Sequence, residues 1–267
     1  MTSAPSRPTA PRPAPKPATT AGRFGVLNGP RQNPPQKILI YGTGGIGKTS
    51  LAALAPSPTF IDVDHDGTKF LDVKRITGVF TYQDLLDALN EESLWGDTRT
   101  TVIDSMTGVN KLALAYTLAN VKTERGAECK SIEGYGYGKG YRHLHDTTLK
   151  FIAALDRHIE RGRNVIIIAH AEVTLKPNPE GEDFKAYSPS IPQKESAPTA
   201  SFMFGWCDHT FYIGYDTIAK DGKAKGSGSR RIEVREQPAF LAKSRTLREP
   251  VVFTEGSAEI WNQLNLK

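Results

Sequence analysis

Residues 37–55 read Lys37-Ile38-Leu39-Ile40-Tyr41-Gly42-Thr43-Gly44-Gly45-Ile46-Gly47-Lys48-Thr49-Ser50-Leu51-Ala52-Ala53-Leu54-Ala55. The first five are apolar and β-prone, and the last six form helix readily until Pro56 stops them. Between these flanks, Gly42 to Thr49 matches every position of a phosphate-binding P-loop, in the strand–turn–helix setting that the motif requires. Its glycines let backbone N–H groups curl around a phosphate, and the helix N-terminus adds partial positive charge. Lys48 is expected to reach the β- and γ-phosphates and the Thr49 hydroxyl to hold Mg²⁺, with Ser50 completing the loop. The stretch predicts a nucleoside-triphosphate site.

Outward from the loop, strand and helix signals alternate. Thr59-Phe60-Ile61-Asp62-Val63-Asp64 reads as a second strand. Leu85, Leu86 and Leu89 form a helical stripe over residues 81–92, with Thr81 as its cap. Thr100-Thr101-Val102-Ile103-Asp104 is a buried strand followed by a helix to about Asn120. Residues 121–141 are polar and rich in glycine and tyrosine. A long helix is predicted over 142–161, with Leu149, Ile152, Leu155 and Ile159 on one face and Gly162 stopping it. Asn164-Val165-Ile166-Ile167-Ile168-Ala169-His170 then reads as a fully buried strand. Residues 172–205 show no clear periodicity. Short β-like runs follow at 208–215, 229–235, 238–243 and 250–253, before an end segment around Ile260-Trp261. The order predicts an α/β fold: a mostly parallel, doubly wound sheet with helices on both faces and a β-rich C-terminal part.

The 267 residues suffice for one such domain, placed at 37–267. Residues 1–36 are rich in Pro, Ala, Thr and Arg and are expected to form a disordered tail. The net charge of +5 belongs to that tail. It holds five of the 34 basic residues (Arg7, Arg12, Lys16, Arg23 and Arg31) and none of the 29 acidic ones, which leaves 29 of each sign beyond it. Any polyanion contact by the folded part must therefore come from local patches. Two distant cysteines, Cys129 and Cys207, argue against a disulfide framework or a zinc site. No apolar run approaches the ~20 residues of a membrane span, and no secretory signal opens the chain. A cytoplasmic protein without membrane partners is expected.

A P-loop needs a second carboxylate near Mg²⁺, at the end of an apolar strand on the same side of the sheet. Asp104, ending Thr101-Val102-Ile103, is that candidate; its alternative is a helix N-cap. AAA+ motors place a catalytic glutamate directly after this aspartate, whereas here the residue is Ser105. The general base must come from elsewhere. Asp62, Asp64 and Asp66 cluster at the end of the second strand, and Asp64 is the first choice to orient the attacking water. His170, at the carboxyl end of its strand, faces the ligand crevice of an open sheet and is a candidate γ-phosphate sensor. An ordinary hydrogen-bonded histidine at the sheet edge remains its alternative.

In this order, a P-loop precedes a strand ending Phe60-Ile61-Asp62-Val63-Asp64-His65. A strand ending Val102-Ile103-Asp104-Ser105 and a strand ending in polar His170 complete the series. The pattern resembles the RecA-like recombinase ATPases over residues 37–253. Within them it is most similar to compact, phage-borne RecA-core proteins of single-strand annealing, often described only as AAA-domain or nucleotide-binding proteins. The resemblance implies ATP and Mg²⁺ as ligands, Asp64 as the catalytic carboxylate, Asp104 as the Mg²⁺ aspartate and His170 as the sensor. It also implies that Lys243-Ser244-Arg245 is a finger that enters the next subunit's ATP site, so that ATP lies between subunits of a ring or filament. An aspartate where that family usually has glutamate puts the hydrolysis rate in question.

Two segments occupy the places of DNA-binding loops in that family. The first is Gly134 to Arg142, where Tyr135, Tyr137 and Tyr141 alternate with glycines beside Lys139 and Arg142. Aromatic rings there are suited to stack on bases, at ~1–3 kcal/mol each. The second is 172–205, with Lys176, Lys185, Lys194, Phe202 and Met203. A further patch over 220–248 carries nine basic residues against three acidic ones, and its 220–229 part is expected to be a mobile hairpin tip. The leading expectation is a DNA-stimulated ATPase that binds single-stranded DNA in recombination or annealing as an oligomer, in a bacterial or phage-infected cell, with a single-strand-binding protein as a further candidate partner. The alternative is a nucleotide-dependent switch on a protein partner. A small-molecule kinase would need arginines in a lid over the phosphoryl acceptor, and residues 121–141 offer only Arg125 among arginines, beside Lys130. A GTPase lacks the guanine reader, since Asn110-Lys111-Leu112-Ala113 has no aspartate, and a ParA-type ATPase wants lysine where Thr43 stands.

Overall fold

Six strands run parallel side by side through the middle of one sheet. They are β1 (Lys37–Gly42), β2 (Pro58–Asp62), β3 (Lys74–Ile76), β4 (Thr100–Asp104), β5 (Asn164–Lys176) and β7 (His209–Lys220), in the order β7-β1-β5-β4-β2-β3. The structure, a computed structural model, describes Gly29 and residues 33–220 and 223–266, with backbone alone over 217–220 and 223–227. The expected tail, with Arg7, Arg12, Lys16, Arg23 and Arg31, lies outside the described residues, as do Asp221 and Gly222 and the side chains of Lys220, Lys223 and Lys225.

Alternation along these strands builds two cores. Leu39 and Tyr41 of β1, Ile61 of β2, Ile103 of β4 and Val165 and Ile167 of β5 point to one face. There they meet α2 (Tyr82–Asn90), α3 (Met106–Asn120) and α4 (Lys139–Glu160). Ile38, Ile40, Phe60, Val102, Ile166 and Ile168 point to the other, against α1 (Lys48–Ala53) and α6 (Glu259–Gln263). Strands buried on both faces need near-continuous apolar sequence, which Ile38 to Tyr41 and Val165 to Ala169 supply. Thr81 caps α2 as expected, in a reciprocal box with Asp84.

The predicted α/β, mostly parallel sheet flanked by helices is observed, with antiparallel strands in the C-terminal part. There β8 (Lys223–Glu233) pairs with β7 and β10 (Val251–Phe253) with β8. The run at 238–243 yields only the two-residue β9 (Lys243–Ser244), because Gln237 to Phe240 is a turn closed by its own backbone bonds. Three further expectations are corrected. Residues 172–205 are not irregular: β5 continues to Lys176 and turns back as β6 (Phe184–Pro189), and α5 (Thr199–Trp206) follows. Aperiodic sequence hid this because the hairpin leaves both faces partly wet, with Val173 and Leu175 exposed. The long helix starts at Lys139 rather than 142, and its most buried stripe is Leu144, Thr148, Phe151 and Leu155. Finally, β7 and β8 are paired as far as Lys220 and Lys223, with one register shift between Tyr215 and Thr217, opposite which Gly228 takes a φ of 82°.

No helix among the described residues is long and apolar enough to cross a membrane. Both cysteines are free and buried. The C-terminal α6 locks the P-loop helix: the Trp261 indole is 2 % exposed and its N–H donates to the Leu51 carbonyl at 2.9 Å. Trp261→Ala should lower unfolding free energy by about 3–5 kcal/mol through the cavity and the lost bond, as read by urea denaturation of the full chain.

Candidate active site

Gly42 to Ser50 connects β1 to α1 at the carboxyl edge of the sheet. Gly45 and Gly47 take φ of 72° and 103°, a left-handed backbone that glycine adopts without steric cost. Lys48 is buried and folds back onto its own loop, donating to the carbonyls of Gly42 at 3.0 Å and Thr43 at 2.8 Å. Burial pushes its ammonium pKa below the ordinary lysine value. A cleft of about 400 Å³ opens above the loop, lined by Gly44, Gly45, Gly47, Lys48, Thr49, Ser50, Asp64, Asp66, Gly67, Asp104 and His170.

The cleft unites residues far apart in sequence. Asp104 ends β4, two strands from β1 across β5, and its Oδ2 accepts from the Thr49 hydroxyl at 2.7 Å. Gly42 lies in register with His170 of β5, which puts the histidine at the cleft wall. Burial and the nearby Lys48 hold the His170 pKa below its usual value, so the neutral imidazole predominates there. Asp62 faces Asp104 across the β2–β4 register. The chain after β2 then bends over: a Cβ on Gly67 would stand only 2.5 Å from Asp104 Oδ2, so a side chain there would collide with the carboxylate.

Asp64 is held by the start of α3. Ser105 is the N-cap of that helix; its Oγ accepts from the Gly108 N–H at 3.3 Å and donates to Asp64 Oδ2 at 2.5 Å. A Cβ on Gly108 would stand 2.8 Å from Asp64 Oδ1, so glycine makes room for the carboxylate. Lys111 Nζ is 4.0 Å from the same Oδ1. The sequence reading treated Ser105 only as a missing glutamate. Its S/T-x-x-Gly start of a helix was the signal for the cap, but nothing in the sequence told that Asp64 would be its partner.

The donor set fits a hard divalent cation. Asp104, Asp62 and Asp64 converge, and the buried Asp62 Oδ1 has no hydrogen-bond partner among the described residues, while its Oδ2 accepts from Thr68. Oxygen donors of this kind suit Mg²⁺, which Thr49 and Asp104 would hold and which would neutralise phosphate charge. Burial raises the Asp104 carboxyl to about 6, with Asp62 and Asp64 adding to the rise and the Thr49 bond opposing it.

The other predicted residues lie elsewhere. Lys243 and Arg245 sit beside His209 and Thr210, at the amino end of β1 and thus at the opposite edge of the sheet from the P-loop. Lys243 bonds the Phe204 carbonyl and Arg245 the Asp208 carboxylate. Among the tyrosines, Tyr135 is corrected: it is buried, and its hydroxyl donates to the carbonyls of Thr117 and Val121, so its ring has no face for a base. Tyr137 is fully exposed. Lys139 pairs with Glu124, and the Tyr141 hydroxyl bonds Glu133. Arg142 is exposed on the first turn of α4. The two segments proposed from sequence meet, since Lys194 Nζ lies 5.3 Å from the Tyr141 ring centroid.

Asp104→Asn provides a signed test. A carboxyl whose folded pKa stands above its unfolded value of 3.8 stabilises the fold fully below that value and loses the contribution as pH rises through about 6. At about pH 8 the wild type therefore carries a penalised buried charge. The substitution should raise stability of the nucleotide-free protein there by about 1–3 kcal/mol, with little gain near pH 4. Added Mg²⁺ should then stabilise the wild type and not the variant in thermal unfolding.

A family model described as AAA domain matches residues 34–246. No curated protein matches the chain. Among solved structures, it is similar to a KaiC-like protein, PH0186, from the hyperthermophilic archaeon Pyrococcus horikoshii OT3, at 13% identity and a TM-score of 0.44, over 83% of this chain and 86% of that one.

Proposed function

The chain belongs to the AAA domain family, and from that premise we propose that it hydrolyses ATP as an oligomer and couples the reaction to single-stranded DNA. The observation that carries the ATPase reading is the convergence of Lys48, Thr49, Asp64, Asp104 and His170 on one cleft. Lys48 and the loop amides bind the phosphates. Asp64, pinned through Ser105, takes a proton from water as its oxygen attacks the γ-phosphorus. The bond from that phosphorus to the β–γ bridging oxygen breaks, and ADP and phosphate leave. His170 reports the γ-phosphate to the residues beyond it.

That report has a physical route. Ser190 N donates to the His170 carbonyl at 2.8 Å, and four residues on, Lys194 stands over Tyr141. Tyr137, Lys139, Tyr141, Arg142 and Lys194 thus belong to one surface reached from the cleft, which supports DNA contact there. Lys243 and Arg245 cannot reach the cleft of their own chain from the opposite sheet edge, so a catalytic role for them requires a second copy. The reading of a ring or filament rests on this separation.

A switch acting on a protein partner has its own support. Phe70 and Phe80 are 90 % and 69 % exposed on the segment that leaves Asp64, an unusual placement for large apolar rings.

Lys48→Ala should abolish nucleotide binding and leave the fold intact by circular dichroism. In the wild type, ATP turnover should rise with single-stranded DNA, and the stimulation should fade as salt increases. Turnover indifferent to DNA at low salt would transfer the proposal to the protein-partner switch. Lys243→Ala should reduce turnover severalfold with ATP affinity unchanged; equal turnover in variant and wild type would remove the trans finger.

A further inference from the structure

Arg230 stands on β8 directly opposite Phe253 of β10. Its side chain crosses to the outer side of the P-loop, where Nη1 donates to the Ile46 carbonyl at 2.9 Å. The guanidinium carbon lies 4.4 Å from the Phe253 ring centroid, and Nη2 stands 3.6 Å from the Glu255 carboxylate. The loop is shaped to receive this pair. A Cβ on Gly47 would stand 2.7 Å from the Phe253 ring and 2.9 Å from Arg230 Nη1. Neither Arg230 nor Phe253 lines the phosphate cleft. A half-buried cation therefore grips the loop from behind.

We propose that Arg230 is a positioning residue of the phosphate site, acting through the Ile46–Gly47 peptide and without touching the nucleotide. The proposal rests on the reading of the loop as a nucleotide site. Three physical effects carry it. The carbonyl of Ile46 and the N–H of Gly47 belong to one peptide, so a charged donor on the carbonyl polarises the amide toward an anion. A loop with Gly44, Gly45 and Gly47 has much backbone freedom to lose on binding, and the anchored peptide has less. The fixed positive charge, sandwiched by an aromatic ring and partly shielded from water, adds attraction for a polyanion. Arg230 meets the Phe253 ring and the Ile46 carbonyl with one guanidinium, a pair of contacts that lysine, with a point ammonium, does not reproduce.

The test measures Mg²⁺-dependent binding of a fluorescent methylanthraniloyl ADP to the full chain, displaced either by ATP or by inorganic tripolyphosphate. Arg230→Ala and Arg230→Gln should weaken ATP and tripolyphosphate by the same factor, about tenfold, and Arg230→Lys by about threefold. The unfolding temperature without nucleotide should stay within about 2 °C of wild type for at least the Gln and Lys variants. Wild-type affinities in the variants would overturn the proposal, as would a lower unfolding temperature with unchanged affinity, the mark of a purely structural residue. Weakened ATP with unchanged tripolyphosphate would overturn it in favour of a contact to the nucleoside end. Failure of the wild type to bind either probe, with Lys48→Ala indistinguishable from it, would instead remove the nucleotide-site premise and this proposal with it.

Discussion

The hydrogen bond from Thr49 to Asp104 is the contact on which the cleft depends. It joins the first turn of α1 to the last residue of β4, although β5 separates β1 from β4 in the sheet. That span is possible because β1 and β4 flank β5 and end within two positions of each other along it: Gly42 pairs with His170 and Asp104 with Ile168, while β5 itself runs on to Lys176. A carboxylate buried there is costly, as its raised pKa shows. One hydroxyl donor does not offset the cost while Asp62 and Asp64 stand nearby. The clustered carboxylates are therefore electrostatically frustrated in a manner that a divalent cation would relieve. Folding accepts the frustration because the two apolar layers on either face of the sheet supply the stability.

What was legible in the sequence follows from how local each signal is. The P-loop, the cap at Thr81, the strands β1 and β4 and the start of β5 rest on neighbouring residues and appear as read, while β5 runs on past His170 to Lys176. Asp64, Asp104 and His170 were legible as candidates because polar residues that follow apolar strand runs face the crevice of a parallel sheet, although β2 ends at Asp62 and β5 continues beyond His170. The site's support was not legible. Ser105 and Gly108 shape Asp64 from 41 and 44 positions away, and Arg230 reaches Ile46 across 184 residues. In the sequence Arg230 was one cation in a basic patch. Pairing of β8 with β7 and of β7 with β1 carries it toward the P-loop, and pairing with β10 sets Phe253 beside it.

The misread segments share a cause as well. Between His170 and Trp206 the chain forms a hairpin and a short helix whose side chains are half wet, so no apolar period of 2 or 3.6 emerges. Tyr135 misled in the opposite direction. Its glycine-rich surroundings suggest a mobile loop, yet two carbonyl acceptors from α3 and its end hold the hydroxyl and bury the ring. Amphipathic side chains serve either role, and the partner decides which.

The aspartate at position 64 poses the mechanistic question that the geometry addresses. Compared with glutamate, it loses one methylene of reach, while the carboxylate itself is unchanged. Here α3 comes to the carboxylate at the cleft wall. Gly108 lets the first turn approach, and Ser105 caps that turn while it fixes Asp64 Oδ2. A short side chain with one oxygen pinned has few rotamers left, so the remaining oxygen is held in place at little entropic cost. The arrangement exchanges reach for orientation. It also ties the Asp64 carboxylate to the N-terminus of a 15-residue helix whose buried residues belong to the core. Position 64 and position 105 must then be read as a pair: a glutamate at 64 would push into the space that Gly108 opens, and an acid at 105 would stand against the carboxylate that Ser105 now orients.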